Sequence, residues 1–232
     1  MDRKIVLSLT SIVLIVLAIA ILIPGGKAPD TQPRLPWDIE IGADGKSTVF
    51  GLSLGSSTLN DARKILRDSG STSLFVNPDN QYHIETYFER MALSGIRASF
   101  VLALDVDPAT AEAMYKRGVR LKSLESGNKQ VTLTDDDVLQ LSQAKIDHIT
   151  YIPVANLDAE MLEGRFGQPK YKLEEQTEVG TIHWLYPEKG LDISLNTEGK
   201  EVFQYVNPKD FDRILKPLQE AHQAANNSTS KE

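Results

Sequence analysis

Apolar residues recur at two kinds of spacing between residues 37 and 225, and the spacings predict antiparallel strands mixed with short helices. A two-residue period indicates strands, as at Trp37, Ile39 and Ile41. A three- and four-residue period behind a capping residue indicates helices, as in the stretch capped by Ser57 or Thr58. The predicted fold class is α+β, with antiparallel sheets and short helices behind an N-terminal transmembrane helix.

The elements predicted after residue 36 are strands joined by turns rich in glycine and proline, with helices between them. The predicted strand segments are 37–52, 81–89, 96–106, 119–133 and 146–154, with three or four more strands after residue 169. The predicted helices are 56–70, 107–118, 135–145, 157–169 and 207–225. Asp44-Gly45 and Ser126-Gly127-Asn128 are predicted hairpin turns. In the third helix, Val138, Leu139 and Leu141 are predicted to face the core.

The N-terminal segment has the pattern of a membrane anchor. Residues 5–23 carry no charge and would form a helix of roughly 28 Å, close to the ~30 Å hydrocarbon core of a bilayer. Arg3 and Lys4 precede this run, so the positive-inside rule keeps the N-terminus in the cytoplasm and exports the chain beyond Gly26. We therefore predict a signal-anchor at 1–26. The alternative is a cleaved signal peptide, since Ala18-Ile19-Ala20 has the form of a cleavage site.

The remaining chain is predicted to contain a linker, two similar units and a tail. Residues 27–36 contain three prolines, which keep a linker extended. A short helix followed by strands occurs twice, which predicts two tandem helix-plus-meander units at 37–145 and 146–220. Residues 221–232 are predicted to be a disordered tail. Whether the two units form one sheet or two is left open by the sequence.

Residues 157–206 carry a family resemblance. The pattern is a short helix, Phe166-Gly167-x-Pro169, a strand with Trp184-x-Tyr186, another strand, a turn at Gly199 and a final strand. It resembles the repeat of the small outer-membrane assembly lipoproteins of the BamE (SmpA/OmlA) type and the β-lactamase inhibitor protein-like fold. A fainter copy lies at 49–105. The resemblance implies a bacterial envelope protein. Because the chain has no cysteine to carry a lipid, the expected location is the inner membrane, single-pass, with the C-terminal domain in the periplasm.

Composition removes several function classes. The formal net charge of −7 and the lack of a clustered Lys/Arg patch argue against nucleic-acid binding. The absence of cysteine excludes disulfides, thiolate metal sites and a cysteine nucleophile. The acidic run Asp135–Asp137 is interpreted as charge at a helix N-terminus rather than a cation site. His83, His148, His183 and His222 show no ligand spacing. No metal site or cofactor is predicted.

Four aromatic residues are the candidate partner-binding residues. Trp184 and Tyr186 lie two apart on one predicted strand, as do Phe203 and Tyr205 on its neighbour, so each pair shares one face. One interpretation packs them against the helices, above Leu162 and Phe166. The other leaves part of this face exposed to receive a partner, because Tyr and Trp are frequent interface anchors.

The function predicted from these features is binding rather than catalysis. We expect a membrane-anchored periplasmic protein of the bacterial envelope, not an enzyme, that acts as an interaction module for another envelope protein. The alternative is a periplasmic protein that binds a small ligand or a cell-wall fragment in a cleft between the two units.

Overall fold

The computed structural model describes residues 33–175, 180–196 and 200–229, with only the backbone for 225–229. The predicted anchor at 1–26 and the linker up to residue 32 lie outside the described residues. No helix within the described ranges is both long and apolar enough to cross a bilayer. From Arg34 onward the described residues belong to one compact unit.

Antiparallel strands with short helices make up this unit, which confirms the predicted class. The described strands are β1 Glu40–Ile41, β2 Ser47–Val49, β3 Leu52–Ser53, β4 Ser71–Val76, β5 Tyr82–Leu93, β6 Ile96–Asp105, β7 Arg120–Ser123, β8 Lys129–Thr132, β9 Lys145–Pro153, β10 Tyr171–Glu175, β11 Thr181–Tyr186, β12 Leu191–Asn196 and β13 Val202–Tyr205. The described α-helices are α1 Leu59–Leu66, α2 Pro108–Lys116, α3 Asp135–Gln140, α4 Ala159–Phe166 and α5 Asp212–Thr229. Short 3-10 helices span Leu141–Gln143, Pro187–Lys189 and Pro208–Asp210.

Ten of these strands form one antiparallel sheet, in the order β10-β11-β12-β13-β9-β6-β5-β4-β8-β7. Strand β9 joins the two predicted units, because it pairs with β6 on one side and with β13 on the other. The units therefore share a sheet, and the predicted boundary at 145/146 falls inside the strand that connects them. Strands β1 to β3 form a separate small sheet.

Local sequence explains most element boundaries. Thr58 and Asp61 form a reciprocal capping box at the start of α1. Asp107 caps α2, with Pro108 in the first turn. Thr134 caps α3, and Asp158 caps α4. These caps satisfy backbone N–H groups that a helix leaves free at its N-terminus.

The hydrophobic core lies on one face of the large sheet, which we call the inner face. Helices α1 to α4 and the small sheet supply its other wall. Its buried members include Leu52, Leu59, Met114, Leu141, Leu162 and Phe166 from that wall and Leu74, Phe88, Phe100, Leu102, Ile149 and Phe203 from the sheet. A smaller cluster on the opposite, outer face joins Leu185, Val206 and Phe211 to Ile214, Leu215 and Leu218 of α5.

Three predictions differ from the structure. Strand β4 was not predicted, and it supplies a central strand of the first unit. Leu139 does not face the core and is 72% exposed; the short helix turns Asp137 inward instead, where Arg117 and Thr134 bind its carboxylate. The predicted start of the tail at residue 221 falls inside α5, which continues to Thr229, four residues beyond the predicted helix end at 225. Three of the five residues at 221–225 are alanine, the best helix former.

Candidate functional site

The four aromatic residues predicted to bind a partner are buried in the core. Trp184, Tyr186, Phe203 and Tyr205 are 0 to 5% exposed. They lie on the inner face, where Phe166 packs against both Tyr186 and Phe203 with ring centroids 6.2 and 5.8 Å apart. The packing interpretation is therefore the one found in the structure, and these side chains offer almost no surface to a partner.

The polar ends of the two tyrosines are satisfied inside the domain. The Tyr186 hydroxyl donates to the Gly167 carbonyl at 2.8 Å, and the Tyr205 hydroxyl donates to the Pro36 carbonyl at 2.9 Å. Burial raises the pKa of Tyr186 to about 12 and the pKa of Tyr205 well above its usual value. Both hydroxyls therefore stay protonated and serve as structural donors.

The outer face of the same sheet is accessible over its central strands. Register places one residue from each strand in a single row across it: Ser71, Tyr87, Val101, Thr150 and Gln204. All five are exposed or half-exposed. We call this surface the open face and define it by Ser71, Ser73, Phe75, Glu85, Tyr87, Val101, Thr150 and Gln204.

Helix α5 covers the other end of the outer face, and its Arg213 reaches back to Asp147 on β9 at 3.1 Å. Leu173 on β10 and Leu185 on β11 pack against the helix there, and the His222 ring contacts the Glu174 carbonyl at 3.3 Å. The row that begins at Ser71 continues from Gln204 to Asp192 and Leu185. Along this row the outer face is therefore buried at β11 and β12 and accessible from β13 to β4.

The open face, as defined, carries few charged residues. Solvated faces of antiparallel sheets usually carry polar and charged residues at alternate positions. Here those positions hold two aromatics, a valine and neutral hydroxyl or amide side chains, and Glu85 is the one charged member of the defined set. Tyr87, which is 41% exposed, is of the type enriched in protein interfaces, where charge is depleted from the centre.

A cavity of about 300 Å³ opens on this face between β4, β5, β6 and β8. Its lining residues are Ser71, Ser73, Phe75, Glu85, Tyr87, Val101 and Gln130. Two hydrogen bonds hold the walls: Tyr87 to the Ser99 hydroxyl at 3.2 Å, and the Gln130 amide to the Ser73 hydroxyl at 3.0 Å.

A second cavity of about 490 Å³ lies at the seam between the two predicted units. Ile96 of β6, Tyr151 and Pro153 of β9, Met161 of α4 and Trp37 line it. Its lining is mainly apolar. The Arg165 guanidinium lies over the Trp37 ring, 4.5 Å from the ring centre. We call this cavity the seam groove.

A buried polar cluster lies on the outer face next to α5. His183 Nδ1 is 2.9 Å from Asp192 Oδ2 and 3.2 Å from Ser194 Oγ, and His183 Nε2 is 3.7 Å from Glu175. Burial lowers the pKa of His183, but the hydrogen bond and charge of Asp192, with Glu175, outweigh it and hold that pKa above its usual value. In a nucleophilic triad the serine and the carboxylate contact different ring nitrogens. Here both contact Nδ1, so the cluster does not have that geometry.

The structure places His83 and His148 at one cavity of the outer face, while His183 and His222 lie at β11 and α5. Within the described ranges, no group of three or more carboxylate and imidazole side chains is arranged to bind a metal ion. Asp135 and Asp136 lie in the first turn of α3 and are exposed, while Asp137 is engaged by Arg117. Asp135 and Asp136 therefore place negative charge at the N-terminus of α3, and Asp137 forms an ion pair with Arg117.

No protein-family model matches the sequence, and neither the curated proteins nor the solved structures contain a significant match.

Proposed function

We propose that the protein is a non-enzymatic component of the bacterial envelope that binds another protein through its open face. The observation that carries the proposal is that the central strands of one large sheet leave a nearly neutral, partly aromatic face accessible. The row Ser71, Tyr87, Val101, Thr150 and Gln204 runs across five strands at about 4.8 Å spacing. It is thus about 19 Å wide, enough for one patch of a standard interface.

Sheet rigidity favours this surface for recognition. Each strand of the row is hydrogen-bonded on both sides, so the positions of the side chains are fixed before a partner arrives. A pre-organised surface loses less conformational entropy on binding. Tyr87 adds a large ring with few rotatable bonds, which is an economical anchor for the same reason.

The envelope location rests on the N-terminal sequence and the resemblance. An uncharged run at 5–23 behind Arg3 and Lys4 suits a single-pass inner-membrane anchor. The resemblance also predicts a helix followed by an antiparallel meander, and α4 followed by β10 to β13 agrees with that pattern. Protease added to spheroplasts should degrade the C-terminal domain if it lies in the periplasm. Protection of that domain until the membrane is dissolved would contradict this location.

The partner-binding part is tested by crosslinking the full-length protein in intact native membranes and identifying the adducts by mass spectrometry. Thr150→Arg places a charge in the centre of the open face and should abolish the specific adduct. Leu139→Arg introduces the same side chain at an exposed position on α3, and the adduct should persist. Equal adducts from both variants would refute binding through the open face.

The seam groove supports a second candidate function, the binding of a small apolar ligand or cell-wall fragment. Its volume of about 490 Å³ lies within the usual range of ligand pockets, roughly 300–1,000 Å³. A ligand that binds only the folded state would raise the melting temperature with its concentration. Met161→Trp would fill the groove and remove that shift, while Thr150→Arg would preserve it.

A further inference from the structure

We propose that the cavity on the open face receives an arginine side chain of the partner protein, with Glu85 as its counter-ion and Phe75 and Tyr87 as aromatic walls. This inference rests on the proposed function, because a partner protein supplies the arginine.

Strand register brings the three recognition groups into one cavity. Glu85 and Tyr87 are two residues apart on β5 and share its outer face. Ser73 of β4 lies opposite Glu85. Phe75 lies two residues further along β4, on the same face and opposite His83. Val101 closes the cavity on the β6 side and Gln130 on the β8 side. A carboxylate therefore lies between two aromatic residues and a set of neutral hydrogen-bonding groups.

The Glu85 carboxylate has no ion pair or hydrogen bond within the described part of the chain. Along the row of paired residues that contains Glu85, the basic residue toward the β7 edge of the sheet is Arg120. Their backbones are three strand spacings, about 14 Å, apart. On the other side, His148 and Arg213 are both engaged with Asp147, at 3.0 and 3.1 Å.

Arginine fits this combination better than lysine. A planar guanidinium can donate two parallel hydrogen bonds to a carboxylate and stack on an aromatic ring at once. Ser71, Ser73 and Gln130 offer oxygen acceptors for its remaining N–H groups. A volume of about 300 Å³ is at the lower limit for ligand pockets, which suits one side chain.

The environment of the cavity favours a cation. The chain has a formal net charge of −7, which attracts cationic partners at long range. Glu85 is half-buried, so its interaction with an entering cation is less screened than that of a fully exposed carboxylate. The Tyr87 hydroxyl bond to Ser99 holds one aromatic wall in place before binding.

The test is an amide NMR titration of the full-length protein in detergent micelles with N-acetyl-arginine amide. Its uncharged analogue, N-acetyl-citrulline amide, is the matched ligand control. We expect saturable shifts at Phe75, Glu85 and Tyr87, with a Kd on the order of 1–10 mM, because a single side chain supplies only a few kcal/mol. Citrulline amide should produce no saturable shift at these residues.

Glu85→Gln should weaken arginine amide binding about tenfold or more, since it removes a charge-assisted hydrogen bond. Glu89→Gln makes the same charge change on the same strand, four residues or roughly 13 Å away, and should leave the Kd within about twofold. The amide spectrum of each variant also reports whether it is folded. No saturable shift up to about 50 mM, equal shifts with citrulline amide, or equal weakening by both variants would overturn the proposal.

This titration separates the two proposals. Arginine amide binding at the cavity without any protein adduct from membranes would keep the cavity as a cation site and refute the partner-binding function. A specific protein adduct without arginine amide binding would refute the cavity ligand and keep the open face.

Discussion

The Tyr205 hydroxyl donates a hydrogen bond to the Pro36 carbonyl at 2.9 Å, across 169 residues of sequence. Pro36 is buried and lies where the predicted linker enters the domain, while Tyr205 is on β13 in the middle of the sheet. The bond therefore fixes the start of the domain to its core. It also satisfies the hydroxyl of Tyr205, whose ring is buried against Phe50 and Phe203.

Tyr205→Phe removes this bond with little change of shape. The Pro36 carbonyl is then buried without its donor, so the free energy of unfolding should fall by about 1–3 kcal/mol. Urea denaturation followed by circular dichroism measures the change. Tyr171→Phe removes the hydroxyl of an exposed tyrosine and should cost about 0.5 kcal/mol or less. Equal effects of both substitutions would contradict the structural role of the bond.

Gly190→Ala should destabilise the turn between β11 and β12 severely. Gly190 has a φ of +64°, and a Cβ there would overlap the carbonyl oxygen of Val206. Backbone strain alone costs about 1–2 kcal/mol, and the overlap adds to it, so we expect a total loss above ~3 kcal/mol. Gly95→Ala is the control: its φ is +82° and its Cβ would meet nothing within 4 Å, so only strain should appear. Similar losses for both variants would contradict the predicted overlap.

The Arg117–Asp137 pair should hold the C-terminal end of α2 to the first turn of α3. Arg117 Nε lies 3.0 Å from each carboxylate oxygen of Asp137, which is 1% exposed. Asp137→Ala leaves Arg117 and Thr134 without their partner, and because Arg117 is half-exposed we expect a moderate loss, about 1–3 kcal/mol. Asp136→Ala, in the same turn but exposed, should cost about 0.5 kcal/mol or less. Urea midpoints of the two variants should therefore differ clearly; matching midpoints would show that the pair contributes nothing.

His183 should make stability depend on pH. Its pKa in the folded state is raised from 6.5, so the folded state binds the proton more tightly than the unfolded state. Its contribution is fully present below about pH 6.5 and is lost as pH rises through the higher folded pKa. The stability difference between the native protein and His183→Gln should therefore be larger at pH 5 than at pH 8. Denaturation at intermediate pH values defines the curve.

The control for this pH dependence is His83→Gln. His83 is exposed on β5, and its replacement should change stability by about 0.5 kcal/mol or less at every pH tested. A difference for His183→Gln that grows with rising pH would have the wrong sign and would contradict the assignment.

Local signals in the sequence predicted much of this fold. Ser57 or Thr58 is the predicted cap of α1, and Thr58 caps this helix by a side-chain hydrogen bond. The Asp44-Gly45 turn joins β1 to β2, and Gly127 lies in the turn between β7 and β8. Such features depend on neighbouring residues, so a single sequence contains them. The segment Ser71–Val76 begins with three small polar residues and does not strictly alternate apolar with polar residues. For this reason the pattern did not predict β4.

The open face could not be predicted because it depends on long-range pairing. The alternation of Ile84, Thr86 and Phe88 against Glu85 and Tyr87 separates two faces of β5, but it does not identify what lies over either face. That depends on where α5 packs, which is set by contacts such as those of Leu218 with the cluster that contains Leu185. For the same reason, the periodicity of Trp184 and Tyr186 could not distinguish an exposed aromatic face from a buried one.

A photo-crosslinking amino acid in place of Tyr87 tests the central claim most directly. The full-length protein carrying it would be irradiated in intact cells, beside a protein carrying it at Leu139 on α3. The open-face account predicts one discrete adduct from position 87, lost in combination with Thr150→Arg, and no such adduct from position 139. The same adduct from position 139 with none from position 87 would contradict it.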